Sequence, residues 1–312
     1  MFASNDTDRK LYRQLNDTLQ NQNKEYINIK NSKEYRIGSF VSRLLKTLKL
    51  KDIKRVRGFI RTIIWKKKRI KSNIKPENYR INKFNENDYF SDYKIAVYTC
   101  VFGNYDKLQD PIIQPDNIDY YVITDQLVPE DSIWKPLDYK DLCPNYYNDV
   151  QKNRFFKMHP NIILPEYKYS IYVDGNVKII SDLTPYVTLL DNYGLGFHWH
   201  NERRCAYDEL KAIKLAHKAK GKDIINYENY LKKNEFPNNY GLLECNVIVR
   251  ENNNALCKQI MENWRYEFYN NFQRDQVSLP YVLYNNGIKV KDLAVLGNDV
   301  YKNYSFRIEK HY

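Results

Sequence analysis

The sequence predicts an α/β protein, a mainly parallel sheet covered by helices on both faces, behind a basic, largely helical amino-terminal extension. Three observations carry this. From Lys94 onward, short runs of β-branched and aromatic residues alternate with stretches of helical periodicity, the pattern of strands joined by crossover helices. Two of those runs end on a carboxylate, Asp125 and Asp174, at the strand ends where open α/β sheets bind ligands. The charge is also divided: residues 1–93 hold 23 Lys and Arg against 10 Asp and Glu, and residues 94–312 hold 27 against 28. The whole net charge of +12 therefore belongs to the first third. The expected division is an extension and linker over 1–93 and one α/β domain over 94–312.

With 312 residues, 43% hydrophobic and 28% charged, the chain can bury a sizeable core and has the balance of a water-soluble protein. No apolar run approaches the roughly 20 residues that cross a bilayer, and Met1 to Lys10 is polar, so neither a transmembrane helix nor a signal peptide is expected. Five cysteines, odd in number and without a CxxC pair, point to buried free thiols in a reducing compartment and away from zinc. The expected location is cytoplasmic, peripheral on the inner face of the membrane.

Residues 1–35 are polar and poor in large aliphatics, which suggests a weakly ordered or marginally helical arm. Residues 36–75 carry 15 basic residues and one acid, Asp52. Phe40, Val41, Leu44, Leu45 and Leu48 share one helical face; Ile53, Val56, Ile60, Ile63 and Ile64 share another. Two basic amphipathic helices ending at Trp65 and the run 66–69 suit an anionic membrane surface. Packing on the next domain, a dimer interface and nucleic acid are the alternatives, and no nucleic-acid signature accompanies the charge. Residues 76–93 read as a linker.

Beyond it the expected strands are Ile95–Phe102, Tyr120–Thr124, Tyr169–Val173, Gly194–His198 and Glu244–Arg250. The expected helices are Asn153–Met158, Leu183–Asp191, Arg203–Lys220, Asn254–Asn270 and Gln273–Tyr284. The third strand runs into Asp174-Gly175-Asn176 before apolar residues resume at Val177. A strand-end carboxylate beside a second oxygen ligand suits a hard divalent cation that carries phosphate oxygens, while Asp-Gly is also a common hairpin turn. Arg154 and Lys157, three apart, share a helical face and could neutralise a diphosphate. Gly103, with Phe102 and Tyr105 around it, forms a turn that could hold a nucleobase, and Asp125 could contact the nucleotide or cap a backbone.

Taken in order, Tyr98-Thr-x-x-Phe-Gly-x-Tyr-Asp106, Arg154-x-x-Lys157-x-His159-Pro160, Tyr172-Val-Asp-Gly-Asn176, His200-x-x-Arg203-x-Cys205-x-Tyr207-x-Glu209, Gly241-Leu-x-Glu244 and Arg274-Asp-Gln276 resemble the TOD1/MUCI70 glycosyltransferase-like domain. The resemblance runs from about Ile95 to Tyr284. It implies a GT-A-like nucleotide-sugar transferase in which an Asp-x-Asp motif holds Mn2+ or Mg2+ on the donor diphosphate. Asp174 is then the main metal ligand, with Asn176 where the family carries its second acid; an amide oxygen can coordinate but adds no charge. Related folds use a late histidine as a further ligand, and His311 is the candidate. The resemblance also implies Asp275, with Gln276 beside it, as the group that takes the acceptor's proton or shields the sugar, with Glu244 as the alternative acid. His200, with Arg203 and Glu209 near it, is expected to contact substrate.

The function expected is metal-dependent transfer of a sugar from a nucleotide-diphosphate donor, UDP-linked, to a glycan or lipid-linked acceptor in surface polysaccharide synthesis. The competing reading is a non-catalytic, degenerate transferase fold recruited to membrane or nucleic acid by its basic arm, for which Asn176 is the best support.

Overall fold

The computed structural model describes residues 6–49 and 82–311. The second basic helix expected over residues 53–64, and the run after it, lie outside the described residues. The α/β domain is built on a six-stranded sheet: β1 (Ile95–Val101), β2 (Ile118–Thr124), β3 (Lys135–Pro136), β4 (Tyr169–Val173), β6 (Leu195–Trp199) and β7 (Leu243–Glu251). Their spatial order is β3-β2-β1-β4-β7-β6, and β7 alone runs against its neighbours. A separate antiparallel pair joins β5 (Val177–Ile179) to β8 (Phe306–Ile308).

Every residue of β1 is buried, so its side chains alternate between two apolar layers. Ala96, Tyr98 and Cys100 face helices α3 (Asp149–Met158), α7 (Ala255–Asn270) and α8 (Asp275–Asn285), meeting Phe156, Trp264 and Leu279. Ile95 and Val97 face the other layer, where Leu183, Tyr186, Val300 and Phe306 close over the sheet. That layer is roofed by a 3₁₀ segment, Thr184–Leu189, which replaces the α-helix expected there, and by the β5–β8 pair. Local signals set the helix starts: Asn148 and Gln151 form a capping box on α3, and the Asn254 side chain accepts from Leu256 and Cys257 N–H at the start of α7. The single helix expected over Arg203–Lys220 ends at Leu215 as α5 (Ala206–Leu215); α6 (Gly221–Lys233) follows, and both pack on α8. Two single-turn helices, α4 (Pro160–Ile163) and α9 (Val290–Leu293), complete the domain.

The arm expected to be weakly ordered or marginally helical forms a long helix, α1 (Asp6–Asn31), followed by α2 (Lys33–Lys49). α1 docks through a polar stripe. Tyr12 donates to Asp182, Asn16 accepts from Asp182 N–H at 2.8 Å, and Gln20 donates to Ser181 and Ser305. Asn23 donates to the Tyr304 and Phe306 carbonyls and accepts from Arg307. Asn16 and Asn23 are fully buried. Such amides add nothing to apolar periodicity, which is why the helix did not register as one that packs. The five cysteines are free, four of them buried. Among the described residues no helix is long and apolar enough to cross a membrane.

Candidate active site

β1, β2, β4 and β6 all finish at one edge of the sheet, and antiparallel β7 begins there. Phe102, Gly103, Asp125, Asp174, His200 and Glu244 are gathered at that edge by topology alone.

The Asp174-Gly175-Asn176 turn is no hairpin. β5 leaves it to pair with β8, Val177 opposite Ile308, while β4 pairs with β1 and β7. Asp174 N–H donates to the Asn246 carbonyl at 2.8 Å, which ties the turn to β7. A Cβ at Gly175 would lie 2.6 Å from Val101 Cγ2 and 3.2 Å from Asp106 Cβ, so glycine lets the turn rest on the end of β1. Asn176 Nδ2 donates to the Glu309 carbonyl at 3.0 Å, and Glu309 N–H returns a bond to the Asn176 carbonyl at 2.8 Å. Two residues on, His311 Nδ1 lies 2.8 Å from Asp106 Oδ1, its ring 4.8 Å from that of Tyr105. Residues 309–311 are thus folded back onto the same corner as Asp174.

Asp174 Oδ1 accepts from Tyr172 OH at 2.8 Å and lies 3.4 Å from Lys157 Nζ. Among the described residues no three His, Cys, Asp or Glu side chains form a ready-made metal site. One carboxylate with an amide oxygen nearby fits a cation that keeps most of its shell from water and phosphate, as Mg2+ does, better than a caged resident ion.

Lys157 is the deepest charge at the site. Its side chain is 1% exposed, with Nζ 2.9 Å from Asp275 Oδ2 and 4.9 Å from the Tyr172 ring centre. Arg250, fully buried in β7, donates to the Lys157 carbonyl at 2.6 Å and to Tyr98 OH at 2.9 Å, fixing the end of α3. Arg154, one turn earlier, brings Nε to 2.8 Å from Asp275 Oδ2 and is 21% exposed. Burial alone would raise the Asp275 carboxyl, but Arg154, Lys157 and Arg274 outweigh it and hold it far below the usual carboxylate range. A carboxylate so stabilised is a weak base, so the geometry opposes the proton-accepting role for Asp275 and favours an organising one. Lys157 lies too deep to meet a diphosphate; Arg154 is the cation of the pair that reaches the surface. Gln276 follows at the start of α8, its buried Nε2 without a protein partner.

Glu244 is the opposite case. Burial lifts its carboxyl to about 8 against the opposing bond from Asn201 N–H, which reaches Oε1 at 3.0 Å. It therefore holds a proton at neutral pH and exchanges it just above. His200 Nδ1 accepts from the N–H groups of Glu202 and Arg203 at 3.1 Å each, and its Nε2 lies 3.7 Å from Glu209 Oε2. Arg203 pairs with Glu209 and with Glu202. These three expected substrate contacts do come together, but much of their polar capacity is used on one another and on shaping the loop beside Glu244. His198, two residues earlier, is elsewhere: fully buried against Phe306 and Asn303, with burial pushing it down to about 3.

At the other end of the edge, both Asp125 carboxylate oxygens accept from Gly103 N–H, at 3.0 and 3.1 Å. Gly103 takes a positive φ of 64° that favours glycine. Phe102 is a core residue, 4% exposed against Tyr139 and Phe156, so its ring is not open to a base; Tyr105, 62% exposed, is. Sequence reasoning passed over Asp106, Tyr172 and Arg250 as site residues. An arginine directly after the apolar run 247–249 is the one local signal that could have pointed to Arg250.

Fold and edge together define an α/β domain with a cluster of buried, opposed charges where its parallel strands end. Residues 132–307 match the family model described as the TOD1/MUCI70 glycosyltransferase-like domain, more than half of the chain. The chain belongs to that family, which supports a glycosyltransferase-type function. No curated protein matches it. Among solved structures, the apo form of the WbbM bifunctional glycosyltransferase is similar at a TM-score of 0.38 and 11% identity. The match covers 62% of this chain and 38% of that one.

Proposed function

We propose that this protein is a metal-dependent glycosyltransferase that moves a sugar from a nucleotide-diphosphate donor, UDP-linked, to a glycan or lipid-linked acceptor in surface polysaccharide synthesis. The observation that carries this reading is the Asp174 turn, set beside the Arg154–Lys157–Asp275 cluster at the carboxyl edge of the sheet in a glycosyltransferase-like domain. Asp174, with Asn176, would hold Mn2+ or Mg2+; when bound, the ion offsets charge on the departing diphosphate. His311 would join only by turning from Asp106. Gly103 and Tyr105 flank the place for the nucleobase, and Asp125 acts on it through the backbone.

Transfer breaks the bond between the anomeric carbon and the diphosphate oxygen and makes one to an acceptor oxygen, whose proton must leave. Arg154 faces the diphosphate side. Lys157 orients Asp174, and Asp275 keeps both cations in place. Glu244 is suited to take the proton once ionised, so transfer should rise about tenfold per pH unit below 8 and level off above. The basic residues after 36 would bring the enzyme to an anionic membrane surface on the cytoplasmic side.

The test is a panel of UDP- and GDP-sugars with Mn2+, read as donor hydrolysis and as thermal shift. We expect one donor to turn over slowly and to raise the melting temperature only with metal, and Asp174→Ala to abolish that metal-dependent rise. If no donor binds or turns over, or the Asp174→Ala protein keeps the full metal response, the reading fails.

A further inference from the structure

Next to the Asp174 turn lies a second concavity that the donor does not explain. It is a cleft of about 1290 Å3 between the end of α1, the exposed side of α2 and the chain terminus after β8. That is larger than the roughly 300–1,000 Å3 of ordinary small-molecule pockets. Six of its lining residues are cationic, Lys30, Lys33, Arg36, Arg43, Arg307 and Lys310, against one acid, Glu309. Aromatic faces are interleaved with them. Arg307 lies 3.9 Å over the Tyr26 ring, and Lys30 lies 5.2 Å from Tyr26 and 4.9 Å from Tyr35. Among the described residues no carboxylate pairs with Lys33, Arg36 or Lys310. Lys33, Arg36 and Lys310 gathered in a cleft with a single acid repel one another, a cost that an anionic ligand would relieve.

The cleft is continuous with the catalytic corner. Glu309 and His311 belong to its wall, and they are the residues that bond Asn176 and Asp106. A ligand held by α2 and the terminal strand would reach the Asp174 turn from the side away from Arg154, where an acceptor must stand if the diphosphate faces Arg154.

We propose that this cleft is the acceptor site and that it selects an acceptor carrying phosphate. The proposal rests on the transferase reading. The guanidinium fork at Arg36 with ammonium groups at Lys30, Lys33 and Lys310 is the chemistry of phosphate recognition. The tyrosine rings offer flat apolar surface for sugar units attached to that phosphate. The phosphate can belong to a soluble glycan phosphate or to a lipid diphosphate headgroup, and the experiment separates them.

Calorimetry on the full chain, first saturated with UDP and Mn2+ so that the donor site is filled, should record binding of inorganic pyrophosphate at a further site. The double variant Lys33→Glu/Arg36→Glu should weaken that binding at least tenfold, and Lys33→Gln/Arg36→Gln should weaken it less. Flotation with phosphatidylglycerol vesicles forms the second arm: vesicle binding lost in the double variant assigns a lipid-borne phosphate, and pyrophosphate binding without vesicle binding assigns a soluble one. No pyrophosphate binding once UDP is saturating overturns the proposal. So does unchanged affinity in the charge-reversed variant, a loss of UDP binding in that variant, or tighter binding of a single-stranded oligonucleotide than of either phosphate probe. Failure of the transferase reading appears separately, as absence of donor binding to the unmodified chain. Pyrophosphate binding is then compared with the Asp174→Ala protein, where the cleft should be unaffected.

Discussion

Replacing Asp275 by Asn keeps the shape of the side chain and removes the charge that Arg154 meets at 2.8 Å and Lys157 at 2.9 Å. The anion that remains near Lys157 is Asp174, at 3.4 Å and already bonded to Tyr172. Lys157, 1% exposed, cannot recover hydration; Arg154, 21% exposed, can in part. Breaking a buried ion pair by removing one partner costs about 3–5 kcal/mol. Because Arg154 reaches water and Asp174 stays in place, the low end applies, about 3 kcal/mol. Urea denaturation at pH 7 measures it. A carboxyl held below its unfolded value stabilises the fold at every pH above that value, and the contribution is lost only as pH falls through the folded one. The gap between wild type and variant should therefore stay constant from pH 5 to 8 and begin to close below about pH 4. A loss under about 1 kcal/mol, or a gap that changes between pH 5 and 8, would refute the claim that Asp275 is an anion locked between two cations. The freed Arg154 should also bind UDP more tightly while transfer slows.

Two further outcomes follow from buried polar groups. Glu244 keeps a proton in the folded chain between its unfolded value and about 8, so folding stability should fall as pH rises across that window. Glu244→Gln should flatten the fall and be more stable at pH 8.5, by on the order of 2 kcal/mol in chemical denaturation; parallel pH–stability curves would count against the assignment. Asn23→Ala removes the amide that satisfies the Tyr304 and Phe306 carbonyls, a loss of roughly 2 kcal/mol. Hydrogen exchange along α1 should accelerate with it, and unchanged protection would mean that the polar stripe does not hold the helix.

The strands were the most legible part of this protein. Tyr169–Val173 falls where β-branched and aromatic residues place it, and the limits of β1, β2, β6 and β7 differ from expectation by one or two residues. A buried strand writes its identity into neighbouring residues, so short windows suffice. The helix over Arg203–Lys220 was misread because its charged face continues past Leu215 and the chain reverses at His217, whose φ is 53°. The apolar residues that resume at Val177 mark β5, but β8 was invisible: three residues long, it becomes a strand only by meeting β5 across the domain.

The sequence by itself determined five strands of the main sheet, that Asp174 ends one of them beside a glycine, and that the basic charge precedes the α/β domain. It determined the family too, through motifs whose order survives as linear text. Only the tertiary structure decided what those residues do to one another. Lys157 meets Asp275 from 118 residues away, and His311 meets Asp106 from 205. Lys157, with Arg154, holds Asp275 far below the usual carboxylate range, while burial lifts Glu244 to about 8. The physical reason is that a carboxylate's chemistry is set by the charges and the water around it, and burial and long-range pairing exist only once the chain has closed on itself.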